Sequence, residues 1–332
     1  MPVGLAEELQ QPINSQVGNH KLGDGCRHVF IDAGANRAVH TRYLMEEPPS
    51  RAKNFSGVFP VSRFLRMGHF KRLFGPDNWW DPTVCAFAFE PNPTHARRLR
   101  SLELRLRAAG RRMEVFNAAV SNQTGRLHFA NPSFSATNKS EWGFQRSLNE
   151  TAVGVRVVPV IDLAAFVLDE LVSRQIPPPP PSMKPAHVRE PAIIMKLDVE
   201  GAELAVLERM RVLGVLCKLD TVVWEFHPNY WRSYSSHPQE SNVYERYPSL
   251  FDVVLARSYL MQGLHPGVER RQVKDHFKSA SRLKDVDRQR REALKTGRGT
   301  RPTPPQCNAS FFMQDDETYL NVQDVSPGRW GL

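Results

Sequence analysis

Four short apolar runs in this chain each end on a carboxylic acid. His28 to Ile31 (HVFI) leads into Asp32, and Val84 to Phe89 (VCAFAF) into Glu90. Ala192 to Leu197 (AIIMKL) leads into Asp198 and then Glu200, and Thr221 to Trp224 (TVVW) into Glu225. Runs this short and this continuously apolar read as strands buried on both faces. Helical patterns lie between them. One begins near Asn36. Another opens at Asn92-Pro93-Thr94, with proline at an early helical position, and runs to about Ala109. Asp162 caps a third that runs to about Arg174, and Glu200 to Arg211 forms a fourth. Strand–helix alternation of this kind implies an α/β fold with a doubly wound, mostly parallel sheet. Met113 to Val120 reads as one more strand, and Gly125 to Phe129 with Val155 to Val160 as a hairpin-like pair. Phe251 to Leu255 and Ser310 to Phe312 are expected to close the sheet as an antiparallel edge.

A chain of 332 residues suits one large domain with insertions, or two domains. The expected division is an N-terminal extension over 1–25, a core over 26–260 and a basic insertion over 261–306. A last strand and tail would occupy 307–332. Within the core, about 47–81 and 175–190 read as inserted loops, the second holding the proline run Pro177 to Pro181. Five prolines in a row form a stiff polyproline II spacer, with SH3- or WW-type contact as a weaker alternative. The net charge of +9 is concentrated late: Val268 to Arg301 holds twelve Lys/Arg against five Asp/Glu. That segment is either a solvated helical face or a surface for an acidic partner.

No run of apolar residues is long enough to span a membrane as a helix, and MPVGLAEELQQP lacks the pattern of a signal peptide. Cys26, Cys85, Cys217 and Cys307 form no CxxC pair and no Cys/His cluster, so no metal site is expected. Cys85 and Cys217 read as buried thiols, and a reducing, cytoplasmic compartment is the default expectation. Five N-x-S/T sequons, at Asn54, Asn122, Asn138, Asn149 and Asn308, point the other way, to the endoplasmic reticulum or Golgi.

In an open parallel sheet, ligands sit beyond the carboxyl ends of the strands. Any one terminal acid is as readily a helix cap. Four together are harder to explain so, because burying unpaired carboxylates near one another is costly. A cationic or hydroxyl-rich ligand relieves that cost. The first strand continues Asp32-Ala33-Gly34-Ala35-Asn36-Arg37-Ala38, with one glycine where a dinucleotide site needs three, and no P-loop is present. S-adenosyl-L-methionine fits better: it carries no phosphate, a sulfonium, an ammonium and a ribose diol. Glu90 stands at the end of the second strand, where a ribose-binding acid belongs.

The motifs FIDAGANRAVHT (Phe30 to Thr41), AFEPNP (Ala88 to Pro93) and NAAVSNQTGRLHF (Asn117 to Phe129) occur in order. They are followed by MKLDVEGAELAVL (Met195 to Leu207) and WEFHP (Trp224 to Pro228). In this combination the chain resembles the FkbM family of class I, S-adenosylmethionine-dependent methyltransferases. The resemblance implies a Rossmann-like, seven-stranded methyltransferase sheet and methyl transfer, usually to oxygen; a hydroxyl on a small molecule or glycan is the expected acceptor. It implies that Asp32, Gly34, Ala35 and Asn36 form the first cofactor loop and that Glu90 binds the ribose hydroxyls. Asn117 and Ala118 would lie near the adenine, and Asp198, with Glu200, near the transferred methyl. Two departures stand out: Ala38 replaces a glycine usual in the family, and the segment from Glu47 to Asp81 is unusually long.

Deprotonating a hydroxyl acceptor needs a base. Asp198 is one candidate. Glu225 and His227, two residues apart on an extended chain, are another, as an orienting pair; the plainer alternative has His227 bonding a loop. Lys196 is expected to form a salt bridge with Asp198 or Glu200. A methyltransferase docking RNA or protein through the basic segment, and a non-catalytic interaction protein on the same scaffold, are the competing functions.

Overall fold

The computed structural model describes residues 20–46, 69–76, 78, 80–130, 145–147, 154–225, 250 and 310–314, with a few positions between 288 and 296. Strand β1 (His28–Ala33) is central, between β2 (Val84–Phe89) and β8 (Ala192–Leu197). β3 (Arg112–Phe116) continues the sheet beyond β2; β9 (Thr221–Glu225) and β10 (Ser310–Gln314) continue it beyond β8. The order is β10-β9-β8-β1-β2-β3, and every pairing in it is parallel. The chain thus builds outward from β1 on one side, then returns to build on the other. The crevice at this reversal, above β1 and β8, is where such sheets bind ligands.

The central sheet has six strands among the described residues, against seven expected. β10, which contains the expected strand Ser310 to Phe312, pairs in parallel with β9. Phe251 to Leu255 lies outside the described residues. A second sheet, in the order β4-β7-β5-β6, holds β4 (Ala119–Ser121), β5 (Gly125–Ala130), β6 (Gln145–Arg146) and β7 (Arg156–Asp162). The expected antiparallel pair is its β5–β7 ladder. The single strand expected from Met113 to Val120 divides in two, since exposed Asn117 interrupts the apolar run and the chain passes there between sheets.

Alternation along the strands separates two cores. Val29, Ile31 and Ala33 of β1 join Phe87, Phe89, Met195 and Leu197 on one face. That face is covered by α4 (Leu163–Phe166), the π-helix Val167–Val172 that continues it, and α5 (Glu203–Val212). Asp162 caps α4 as expected, accepting the Ala165 N–H at 3.1 Å. Phe30, Ala86, Ala88 and Ile194 face the other way. Against them pack α1 (Val39–Met45), α2 (His69–Phe74) and α3 (Pro93–Ala108). Asn92 caps α3 by accepting the Thr94 N–H, with Pro93 opening the helix as read from the sequence. The described end of the first supposed insertion belongs to the core: Phe70 and Phe74 of α2 are buried, Phe70 edge-on to Phe30.

The cysteine expectation is overturned. Cys26, just before β1, and Cys85 in β2 form a disulfide, Cys217 is also disulfide-bonded, and no described cysteine is free. Parallel register places Val29 opposite Cys85, which brings the residues before β1 within reach of the start of β2. Among the described residues no helix is long and apolar enough to cross a membrane.

Candidate active site

Register decides which of the strand-end charges meet. Asp32 is the register partner of Lys196, so the two project from neighbouring strands on one face of the sheet. Asp32 is fully buried. Its Oδ2 accepts the Thr41 hydroxyl of α1 at 2.7 Å, while its Oδ1 is buried with no partner among the described residues. Burial is the main cause that lifts its carboxyl to about 6, against the opposing pull of Lys196 and Thr41.

The turn after β1 is unusual backbone. Gly34 has φ 76°, and Asn36 and Ala38, both with side chains, have φ 51° and 53°. The Gly34 and Ala35 N–H groups donate to the Phe89 carbonyl of β2 at 3.0 and 2.9 Å. A Cβ on Gly34 would lie 1.7 Å from the Asp198 carbonyl oxygen, so only glycine fits where this turn crosses the end of β8. The Lys196 ammonium closes the junction, donating to the Gly34 carbonyl at 2.6 Å and to Asp198 Oδ2 at 2.8 Å. The expected Lys196–Asp198 ion pair is therefore present. Lys196 is almost wholly buried in it.

Glu90 serves the same turn from β2. Its Oε2 accepts the Asn36 N–H at 2.6 Å and its Oε1 the Asn92 N–H at 2.8 Å. Burial pushes this carboxyl up to about 7, although both backbone N–H groups oppose the shift. The Asn36 Oδ1 is a second buried oxygen without a partner among the described residues. Asp32, Gly34, Asn36, Glu90, Lys196 and Asp198 thus come together at the ends of three adjacent strands. The Glu90 N–H donates to the Phe116 carbonyl, tying the cluster to the chain just before Asn117 and Ala118. Asn117 is exposed and Ala118 buried.

Glu200 and Gly201 both have positive φ, 56° and 107°, so the helix expected from Glu200 begins only at Glu203. The Glu203 carboxylate accepts the N–H groups of Val199 and Gly201, which fastens the turn after Asp198. Sequence reading gave Glu203 no role; its signal was an acid in the first turn of a helix, where it complements unpaired backbone N–H groups. Thr41 was also missed as the hydroxyl partner of Asp32. Buried His40 stays neutral, its pKa lowered to about 3 by desolvation first and by Lys196 second. Glu225 ends β9, one position beyond the Leu197–Trp224 pair. His227 lies outside the described residues. No group of His, Cys, Asp and Glu that could hold a metal occurs among the described residues.

A family profile described as the Methyltransferase FkbM domain matches residues 32–241, from Asp32 near the end of β1 to beyond β9. The chain belongs to the FkbM methyltransferase family. The match takes in every residue of the cluster around Gly34, the turn around Glu203, and the second sheet. Comparison with curated proteins and with solved structures gave no match.

Proposed function

We propose that this FkbM methyltransferase takes its methyl group from S-adenosyl-L-methionine and delivers it to a hydroxyl of a small molecule or glycan. The observation that carries the reading is the buried Asp32 carboxylate at the sheet's reversal, with one oxygen that has no partner among the described residues. An orphaned buried carboxylate oxygen suits a ligand that brings cationic N–H donors. Glu90, held by two backbone N–H groups, keeps lone pairs for a ribose diol. The residues present therefore fit the donor. When bound, it supplies a methyl already activated by its sulfonium.

In this reading Asp32, with the turn Gly34-Ala35-Asn36, holds the methionine part, and Glu90 the ribose. Asn117 and Ala118 flank the adenine. Lys196 holds the Asp198 carboxylate in place, so that Asp198 orients the acceptor near the methyl. Glu225, the last residue of β9, and His227 take the acceptor's proton: the imidazole accepts it and the carboxylate steadies the imidazolium. The remaining task of the fold is alignment, which is where a displacement at an activated carbon gains most.

The test uses methyl-labelled S-adenosylmethionine offered with separated pools of metabolites, glycans, RNA and protein. Label is expected in the metabolite or glycan pool. Label confined to RNA or protein would overturn the acceptor class, and absence of donor binding by calorimetry would overturn the methyl donor. Glu90→Ala is expected to weaken donor binding about a hundredfold, because it removes the diol's acceptor and unties Asn36 from Asn92.

A pH dependence follows. Asp32 and Glu90 have pKa values raised to about 6 and about 7, so both gain negative charge as pH rises through that window. Affinity for a cationic ligand should rise with it, by about tenfold or more from about pH 5.5 to about pH 7.5. Asp32→Asn keeps a partner for the Thr41 hydroxyl and should flatten much of the slope. A flat profile in the unaltered protein would remove these two carboxylates from the binding site.

A further inference from the structure

We infer that Asn122 is an N-glycosylation site and that the chain reaches its native state in an oxidising secretory lumen. Two independent observations carry this. The first is the turn between β4 and β5. Asn122-Gln123-Thr124 is a complete sequon with no proline in the middle position, and all three residues are exposed. The Ser121 hydroxyl donates to Asn122 Oδ1 at 3.2 Å, and the Thr124 Oγ1 accepts the Asp162 N–H at the same distance. The backbone of the turn is thus pinned to the end of β7 through Thr124, while the Asn122 amide remains at the surface. A large hydrophilic glycan there stays in water and displaces no packed side chain. The other four sequons lie outside the described residues, apart from Ser310 of the last, so Asn122 is the one whose acceptor side chain is in view.

The second observation is the state of the cysteines. Cys26 and Cys85 are joined, Cys217 is bonded, and none of the described cysteines is a thiol. Disulfides of this structural kind persist in secretory compartments and are rare in a reducing cytosol. Asn-linked glycans are added in the same compartments, so the two features have one explanation. In the modification step the Asn122 amide nitrogen bonds the anomeric carbon of a lipid-pyrophosphate-linked oligosaccharide. The bond from that carbon to the pyrophosphate oxygen breaks, the lipid pyrophosphate leaves with the electron pair, and the amide loses one proton. The turn belongs to the second sheet, outside the cluster around Gly34, so the inference stands or falls apart from the choice of methyl donor.

The experiment sends the full chain through the secretory pathway of a eukaryotic host behind a cleavable leader and maps its peptides. The peptide containing Asn122 is expected to carry a glycan that an amidase removes, leaving aspartate. Asn122→Gln is expected to lose that one glycan and keep both the Cys26–Cys85 disulfide and its melting temperature. An unmodified Asn122 in protein whose disulfide has formed would overturn the assignment, and mapping the unaltered chain makes this independent of how the variant folds. Free thiols at Cys26 and Cys85 in protein from its native source would overturn the compartment.

Discussion

Gly34→Ala is expected to abolish binding of S-adenosylmethionine and to destabilise the fold by about 3 kcal/mol or more. The added methyl would sit 1.7 Å from the Asp198 carbonyl oxygen and 2.8 Å from its carbon, at a residue whose φ of 76° already disfavours a side chain. Both obstacles are backbone, so no side-chain rotation relieves them. The turn and the end of β8 would have to part by more than about 1 Å, since real Cβ atoms do not approach other heavy atoms more closely than about 3 Å. That movement pulls on the Lys196 bond to the Gly34 carbonyl, the Asp198 N–H bond to Ala33, and the paired bonds to Phe89. It therefore disturbs the junction on which Asp32, Glu90 and Asp198 all depend. Calorimetric titration with the donor, beside a thermal melt, is the measurement. An alanine variant that binds and melts like the parent would show that the turn and strand end do not meet as described.

Removing the Cys26–Cys85 disulfide should cost up to about 4 kcal/mol of stability. The bond closes a loop across a sequence separation of 59 that includes β1, α1 and α2. In the chain-entropy view, the constraint acts on the unfolded chain, and a loop of this size is worth about 4 kcal/mol at room temperature. Both cysteines are buried members of the core on one face of the sheet, so Cys26→Ala with Cys85→Ala also loses some packing. Urea unfolding of the parent, of the parent with reductant, and of the double variant separates the two contributions. Equal midpoints in all three would mean that the crosslink contributes nothing.

Most of the sheet was legible because its evidence is local. Continuous apolar runs mark β1, β2, β8 and β9 whatever their neighbours, and caps such as Asn92 and Asp162 are read within four residues of themselves. The misreadings share a different origin. Met113 to Val120 has the composition of one strand; that it divides depends on where β3 ends as a sheet edge and where β7 offers β4 a partner. The helix after β8 starts three residues late because Glu200 and Gly201 take positive φ in a turn that the Glu203 carboxylate fastens. The cysteines looked like isolated thiols because a separation of 59 residues carries no signal until β1 and β2 pair.

What the amino-acid order determined unaided is the alternation of strands and helices, the acids at the strand ends, and, through five ordered motifs, membership of the FkbM family. Those properties are written in hydrophobic period and local chemistry, and both survive without knowledge of any distant contact. The tertiary structure alone decided that the Lys196 ammonium also donates to the Gly34 carbonyl, that Asp32 has one oxygen without a partner among the described residues, and that Cys26 reaches Cys85. It also decided that β10 runs parallel to β9. Each of these depends on how segments far apart in the chain come together, which parallel register between strands fixes, and register is set by packing the whole sheet at once.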